Sequence, residues 1–147
     1  MGENSYTHLL IYSLPKMKLE DDNYCFACGK NNQCGLKLSF NYSNGKLTTE
    51  FIPSKIYQGY KDITHGGVIT TVLDEAMIQA AIAEGLMPVT AEINVRFKMP
   101  LMANEKTIAE AEITKKNSRL IEARSRLVKA SDGTVIAEAS AKMVPSK

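Results

Sequence analysis

Hydrophobic and polar residues alternate through the second half of the chain. Between Val89 and Met99 every second residue is apolar and the residues between are polar, as a strand with one buried face requires. Three later runs, residues 107–113, 121–127 and 135–143, keep this period of two, and turn-forming residues at 116–118 and 132–133 separate them. This half of the chain therefore predicts four antiparallel strands.

An earlier pair of segments shows the same alternation. Residues 36–42 place apolar side chains at every second position, with polar side chains between them, and Leu47, Thr49 and Phe51 continue the alternation. Asn44-Gly45 lies between the two runs, and this dipeptide tolerates the positive φ angles of a two-residue hairpin turn. We therefore expect an antiparallel hairpin as the first two strands of the sheet.

The segment after Gly66-Gly67 has a helical period instead. Its apolar residues recur at intervals of three and four, at Ile69, Val72, Leu73, Ala76 and Ala80. Gly85 and Pro88 supply a stop signal, which gives a helix of about 19 residues and roughly 28 Å. The helix is apolar almost all round, and the alanine-rich strands allow its backbone to approach closely. The pattern predicts an α+β fold, a six-stranded antiparallel sheet wrapped around one long central helix.

Composition and charge narrow the class of protein. A chain of 147 residues fits one domain, and 44% hydrophobic with 23% charged residues is typical of a globular protein. A net charge of +2 does not favour a nucleic-acid partner. The apolar stretch from residue 68 to 83 is interrupted by Asp74, Glu75 and Gln79, so we expect no membrane span. Residues 1–24 show no sustained period and are expected to form an arm ahead of a domain over residues 25–147.

The cysteines and the N-terminus predict the compartment. Cys25, Cys28 and Cys34 are an odd set that cannot all pair internally, which argues against a secreted disulfide framework. No basic segment leads into a long apolar run at the start of the sequence. We therefore expect reduced thiols and a cytoplasmic location.

The start of the helix carries the candidate chemistry. Gly66-Gly67 lets a ligand approach the backbone, and free N–H groups at a helix start stabilise an anion or a polarised carbonyl oxygen. Asp74 places a carboxylate in a mostly apolar helix, where a charge is unfavourable without a partner or a task. Such a group is a candidate general base. At 100° per residue, Asp74 shares its side of the helix with Thr70, Thr71 and Met77, and Glu75 lies a further 100° round.

Each of these features also has a purely structural interpretation. A single aspartate in a helix is more often solvated or capped than catalytic, and Gly66-Gly67 alone is compatible with a tight loop. His65 is compatible with a cap on the loop or with packing against Tyr60. The residue pattern by itself leaves these alternatives open.

Two sequence motifs in order give a resemblance to a known family. The first is the H-G-G that opens the helix, with an acid nine residues after His65, and the second is the segment from Cys25 to Leu36, C-x-x-C-G-x-x-N-x-x-G-L. Together with the strand pattern around them, they make residues 25–143 resemble the hotdog-fold acyl-CoA thioesterases of the phenylacetic-acid-pathway (PaaI-like) type. The resemblance implies a hotdog thioesterase domain over residues 25–147.

The resemblance assigns roles to residues. It implies that Asp74 activates the hydrolytic water or attacks the thioester, and that the Gly67 backbone N–H polarises the carbonyl oxygen. His65 and Gln58 match loop positions that orient the acyl group or water. The expected site is completed by four residues assigned to substrate binding, which are Gly66, Thr70, Thr71 and Met77. It also implies a homodimer or dimer of dimers with sites between subunits, an acyl-CoA substrate, and no cofactor, because coenzyme A belongs to the substrate.

The thiols remain ambiguous beside this assignment. Cys25-x-x-Cys28 with Cys34 suggests zinc, but a structural zinc site needs four ligands and no second C-x-x-C or histidine pair is present. We therefore expect no metal, and favour a tight turn with buried thiols. A catalytic cysteine is disfavoured because no histidine lies nearby in the sequence to act as its base.

Two other functions remain open from the sequence. One is an enoyl-thioester hydratase or dehydratase on the same fold, and the other is a non-catalytic acyl-CoA-binding module. Asp74 favours an enzyme over the binding module. The hydratase is disfavoured because that chemistry usually needs a histidine at an Asp/Asn-rich or proline-rich helix entry, which this sequence lacks. The acyl chain and the oligomeric state are not decided by the sequence, and Lys116 and Arg119 are the candidates for contact with coenzyme A phosphates.

Overall fold

One six-stranded antiparallel sheet and one long helix form the fold in a computed structural model, which describes residues 15 and 17–146. The strands are β1 (Phe40–Ser43), β2 (Lys46–Phe51), β3 (Pro88–Phe97), β4 (Thr107–Lys116), β5 (Ile121–Lys129) and β6 (Val135–Pro145). The helix is α1 (Gly66–Ala83), and a short 3-10 helix spans Lys55–Tyr57. The sheet order is β1-β2-β4-β5-β6-β3, with every neighbouring pair antiparallel. The predicted α+β fold is confirmed, while most of the predicted arm over residues 1–24 lies outside the described residues.

Small side chains on the sheet let α1 pack closely against it. The buried side of the helix, which includes Leu73, faces strand positions filled largely by alanine, at Ala109, Ala111, Ala123, Ala137, Ala139 and Ala141. The Ser125 hydroxyl on β5 donates to the backbone carbonyl of Leu73 over 3.1 Å. A strand side chain this short reaches the helix backbone only because the two elements approach closely, as the alanine pattern predicts.

The predicted first hairpin is present, but β1 is shorter than the alternation suggests. Asn44 and Gly45 have φ angles of 51° and 77°, which makes the two-residue turn between Ser43 and Lys46. Lys37 has a φ of 52°, and the Leu38 N–H bonds to the Ala27 carbonyl instead of to a strand. Residues 36–39 therefore belong to a connection in which Leu38 is buried and Lys37 and Ser39 are exposed, and the strand begins at Phe40.

Strand β3 departs from the strict alternation of its sequence. The register with β6 shifts between Thr90 and Glu92, so that Ala91 forms a bulge. Thr90 pairs with the inward-facing Met143, and Ile93 pairs with Ala141. The expectation that Thr90 lies on the outer, polar face is therefore wrong, because one extra residue turns its side chain towards α1. β3 is also an edge strand, with no partner on its other side among the described residues.

The central helix is long and apolar enough to cross a membrane by length and composition, with a mean hydropathy of 1.2. Core helices of globular proteins pass the same test, and α1 contacts all six strands of the sheet. Seven of its residues are buried, namely Ile69, Val72, Leu73, Ala76, Met77, Ala80 and Ala81. The helix is therefore the core of the domain, and Gly85, with a φ of 83°, follows its end as predicted.

Candidate active site

His65 caps the start of α1. Its side chain accepts the hydrogen bond of the Gly67 N–H, the donor that the sequence analysis assigns to the substrate carbonyl. It has an extended conformation, with φ −61° and ψ 133°, and its Nδ1 accepts the Gly67 N–H over 2.8 Å. A Cβ on Gly67 would lie 3.1 Å from that nitrogen, so glycine lets the ring approach the backbone. A neutral imidazole that accepts at Nδ1 carries its proton on Nε2, which leaves one donor on the ring.

Asp74 is the carboxylate on the side of the helix that faces the edge strand. The Thr90 hydroxyl donates to its Oδ1 over 2.7 Å, so the bulge in β3 is what brings this partner to the carboxylate. Oδ2 accepts no hydrogen bond from any described residue. Burial raises the pKa of Asp74 above its usual value of 3.8, and the hydrogen bond from Thr90 partly opposes that shift. A carboxylate that is fixed at Oδ1, has a raised pKa and leaves Oδ2 without a described partner is suited to accept a proton.

Other predicted substrate-binding residues are engaged within the fold. The hydroxyls of Thr70 and Thr71 donate to the carbonyls of Gly66 and Gly67, over 2.9 and 3.0 Å. Each hydroxyl can therefore offer a ligand only its oxygen lone pairs. Met77 is completely buried in the hydrophobic core. Sequence reasoning also missed Thr90, whose position depends on a bulge that the alternation of side chains does not reveal.

The loop ahead of the helix is held by Gln58. Its side-chain oxygen accepts the Asp62 N–H over 3.0 Å, and Asp62 has a φ of 62°. Gln58 also forms a bridge with Thr64, and the His65 N–H donates to the Tyr57 carbonyl over 2.8 Å. The role of Gln58 visible in the structure is therefore to fix the loop that carries His65.

Exposed apolar side chains lie at the helix start and in the segment that precedes it. A Cβ on Gly66 would lie 3.3 Å from the ring of Phe97, so this glycine packs directly on the end of β3. The ring of Phe97 is itself 50% exposed, and Tyr60 and Ile56 in the preceding loop are 87% and 80% exposed. Large apolar side chains left in solvent beside a site are typical of a surface that contacts another molecule.

Glu75, the neighbour of Asp74, belongs to a separate cluster. Its Oε1 accepts from the Gln79 amide over 2.8 Å, and Cys25 donates to its Oε2 over 3.9 Å. Cys25 Sγ, Cys28 Sγ and a Glu75 carboxylate oxygen lie within 4.8 Å of one another. Burial and the nearby Glu75 carboxylate raise the pKa of the Cys28 thiol well above its usual range. A thiol held in this neutral form is a poor nucleophile.

None of the ion pairs among residues 15 and 17–146 includes Asp74. Lys116, one of the two candidates for phosphate contact, pairs with Glu84 over 3.0 Å. Arg126 pairs with Glu110 over 2.8 Å on the outer face of the sheet. An open depression of about 510 Å³ lies on that outer face and contains none of the predicted site residues. Its lining is Lys46, Glu110, Ala111, Glu112, Arg124, Ser125, Arg126, Glu138 and Ala139.

Comparison with known proteins identifies a family that matches the central part of the chain. A family model described as the thioesterase superfamily matches residues 62–136, just over half of the chain. The matched segment contains the helix start, Asp74 and Thr90. No curated protein has a significant match to the sequence.

Three solved structures share the fold at low sequence identity. A hypothetical thioesterase protein from Streptococcus pneumoniae, solved with coenzyme A, superimposes with a TM-score of 0.70 at 14% identity, over 74% of this chain and 88% of that one. The PaaI protein of the Escherichia coli phenylacetic acid degradation operon gives 0.69 at 17% identity, over 75% and 80%. Thioesterase superfamily member 2 from Mus musculus gives 0.70 at 19% identity, over 86% and 98%.

These likenesses confirm the hotdog fold, and PaaI is among the proteins that share it. The family model shows that the enzyme class is that of the thioesterases, because its match covers just over half of the chain. The prediction of a PaaI-like thioester hydrolase is confirmed at this level. The chain belongs to the thioesterase superfamily.

Proposed function

We propose that this protein hydrolyses an acyl-CoA thioester to the free acid and coenzyme A, with Asp74 as the general base or nucleophile. The observation that carries the proposal is the Asp74 carboxylate, half-buried, held at Oδ1 by Thr90 and free of described partners at Oδ2. The streptococcal structure that shares the fold contains coenzyme A, which supports coenzyme A as the carrier of the acyl group.

As a general base, Asp74 would act through Oδ2. A water bound between Oδ2 and the thioester carbonyl gives its proton to the carboxylate as its oxygen attacks the carbonyl carbon. The C–S bond then breaks, and the leaving thiolate takes up the proton that Asp74 accepted, which yields free coenzyme A and restores the carboxylate. Thr90 is a positioning residue in this scheme, because its hydroxyl fixes Oδ1 and thereby aims Oδ2.

The Gly67 N–H would stabilise the oxyanion after an exchange of acceptors. In the structure this N–H donates to His65 Nδ1, so a substrate oxygen has to replace the ring nitrogen. The displaced ring keeps its Nε2–H as a donor, which suits the predicted role of His65 in orienting the acyl group or water. Gly66 supports the exchange because it lacks a side chain where the thioester would pass beside the Phe97 ring.

We also propose that the working form is a homodimer or a dimer of dimers with its sites between subunits. Strand β3 has ten residues and one open edge, which is a template for pairing with a second copy. The half-exposed Phe97 ends this strand and packs beside Gly66 at the helix start, and Tyr60 and Ile56 expose further apolar surface in the segment that precedes the helix. A second subunit there would cover that surface and close the Asp74 site. A cytoplasmic location fits the free thiols of the described chain.

The proposed activity is tested by free-thiol release from short, medium, long and aryl acyl-CoAs. We expect turnover by the wild type on part of this panel and a loss of turnover in Asp74→Asn. Glu122→Gln is the matched control, because it changes an outward-facing acid on β5 that makes no contact with the helix start. Saturable binding without turnover on every member would contradict the proposal and support a non-catalytic acyl-CoA-binding module. Hydration of an enoyl-CoA would support a hydratase instead.

A further inference from the structure

The cluster of Cys25, Cys28 and Glu75 is not used by the proposed hydrolysis. We propose that these three side chains bind a divalent transition-metal ion, with Zn²⁺ as the best match, and that water completes the coordination. Two sulfur donors and one carboxylate oxygen are a donor set that zinc accepts in tetrahedral geometry. The site is separate from Asp74, and it stands or falls independently of the thioesterase function.

The two thiols are brought together by a tight turn. The Gly29 N–H donates to the Cys25 carbonyl over 2.8 Å, which closes the turn around residues 25–28. A Cβ on Gly29 would lie 2.4 Å from the Cys25 nitrogen, so only glycine fits this position. Backbone hydrogen bonds from Leu36 and Leu38 to residues 26 and 27 fix the turn against the segment before β1. The spacing of the sulfurs is therefore set by the backbone.

Glu75 supplies the third ligand from the middle of α1, fifty residues away from Cys25 in sequence. Zinc–ligand bonds of about 2.3 Å to sulfur and 2.0 Å to oxygen place tetrahedral donors roughly 3.5 to 3.8 Å apart. The three donor atoms lie within 4.8 Å of one another, and Cys25 Sγ is 3.9 Å from Glu75 Oε2. Shifts of less than about 1 Å, within the reach of side-chain rotation, would bring all three onto one ion.

Gln79 orients the carboxylate as an outer partner of a metal ligand does. Its amide donates to Glu75 Oε1 over 2.8 Å and approaches Cys28 Sγ at 3.8 Å, which leaves Glu75 Oε2 directed at Cys25. No ion pair among residues 15 and 17–146 includes Glu75. Three groups that can each become anionic therefore face one another without a neutralising side chain in the described part of the chain.

The sequence expectation of no metal rested on a count of nearby cysteines and histidines. The structure adds Glu75, which that count could not include, and leaves Cys34 exposed and outside the cluster. Binding would release the two thiol protons and form two Zn–S bonds and one Zn–O bond, with no change of oxidation state. The ion would tie the turn at residues 25–29 to the helix that carries Asp74.

Cobalt substitution tests the site directly. The full chain is reduced, stripped with a chelator and titrated with Co²⁺, whose visible d–d bands report tetrahedral geometry and whose near-ultraviolet band reports thiolate ligation. We expect both bands to saturate at about one ion per chain and to disappear when Zn²⁺ displaces the cobalt. Cys28→Ser and Glu75→Gln should weaken binding by more than the roughly 10- to 100-fold typical of outer-shell changes, and Gln79→Ala within that range.

Two matched controls separate the cluster from its neighbours. Cys34→Ser changes the exposed thiol and Asp74→Asn changes the adjacent acid, and both should bind cobalt as the wild type does. An absence of the thiolate band in the wild type, or equal binding by Cys25→Ser/Cys28→Ser, would overturn the proposal. Alkylation of the wild type avoids any folding defect of the variants. Zn²⁺ should protect Cys25 and Cys28 while Cys34 reacts, whereas equal labelling of all three, or a Cys25–Cys28 disulfide that persists with Zn²⁺ under mild reductant, would contradict it.

Discussion

Asp74 and Glu75 are adjacent in sequence but lie in different chemical surroundings on two sides of the same helix. Asp74 faces the edge strand, where a single hydroxyl donor holds one oxygen and leaves the other free. Glu75 faces two thiols and an amide from its own helix. The first arrangement suits transfer of a proton, and the second suits binding of a cation. The groups that contact each carboxylate therefore decide its chemistry. Residue type and position in the chain do not.

Neutralising each acid separately is the strongest test of whether Asp74 and Glu75 have different roles. Asp74→Asn should lower turnover of the preferred acyl-CoA by at least about 100-fold, because a general base contributes a factor of that size. The same variant should keep cobalt binding, whereas Glu75→Gln should lose it. Thiol release and cobalt absorption measure the two effects. If Asp74→Asn lost metal binding as well, the two acids would not form separate sites.

Removal of the partner of Asp74 should have the next largest effect. Thr90→Val deletes the hydrogen bond to Oδ1, so kcat/KM should fall about 10-fold, the equivalent of a lost hydrogen bond to a charged group. That hydrogen bond lowers the pKa of Asp74, and its loss should move the acid limb of the rate profile to higher pH. Thr90→Ser should restore both properties. An unchanged pH profile in Thr90→Val would show that Thr90 only fills space.

The burial of Asp74 should also be visible in stability. The folded protein holds this pKa above the usual 3.8, so ionisation at neutral pH opposes folding. Asp74→Asn should therefore be more stable than the wild type at neutral pH, by on the order of 1 kcal/mol. The gain should shrink as the pH falls through the raised pKa of the folded protein and should vanish below 3.8, where the carboxyl is protonated in both states. Urea unfolding at several pH values measures it, and a pH-independent difference would contradict the assigned cause.

Substitution of His65, which caps the helix start, should have the smallest effect of these changes. His65→Ala removes the acceptor for the Gly67 N–H and should cost about 1 kcal/mol of stability, the usual value of an N-cap. His65→Asn supplies another capping oxygen and should recover most of it. In the alanine variant no ring nitrogen competes with the substrate oxygen for the Gly67 N–H, so KM should not rise. A KM increase without loss of stability would show that the ring contributes mainly by orienting the substrate and not by capping the helix.

Much of the fold could be predicted because it depends on local patterns. The alternation in β4 and β5 and the helical period of α1 report which face is buried, and Asn44-Gly45 marks a turn by its φ preferences. The alanine-rich sheet also predicts the close approach of the helix. The start of β1 could not be predicted, because the positive φ of Lys37 interrupts a run whose alternation continues through it.

The candidate site was predictable only in part. Asp74 and the glycines at the helix start are recognisable from the motif, and capping by His65 was one of the alternatives the sequence left open. Thr90 was not predictable, since a bulge of one residue changes the facing of a side chain without changing composition. The contact of Glu75 with Cys25 joins segments fifty residues apart, and no local period reports such a contact.

Whether Asp74 performs the chemical step can be tested by one paired measurement. Turnover of the preferred acyl-CoA and the affinity for its non-hydrolysable thioether analogue are measured for the wild type and for Asp74→Asn. We expect the variant to bind the analogue with nearly unchanged affinity while its kcat falls by at least about 100-fold. A variant that binds the analogue and retains wild-type kcat would show that Asp74 does not perform the chemical step.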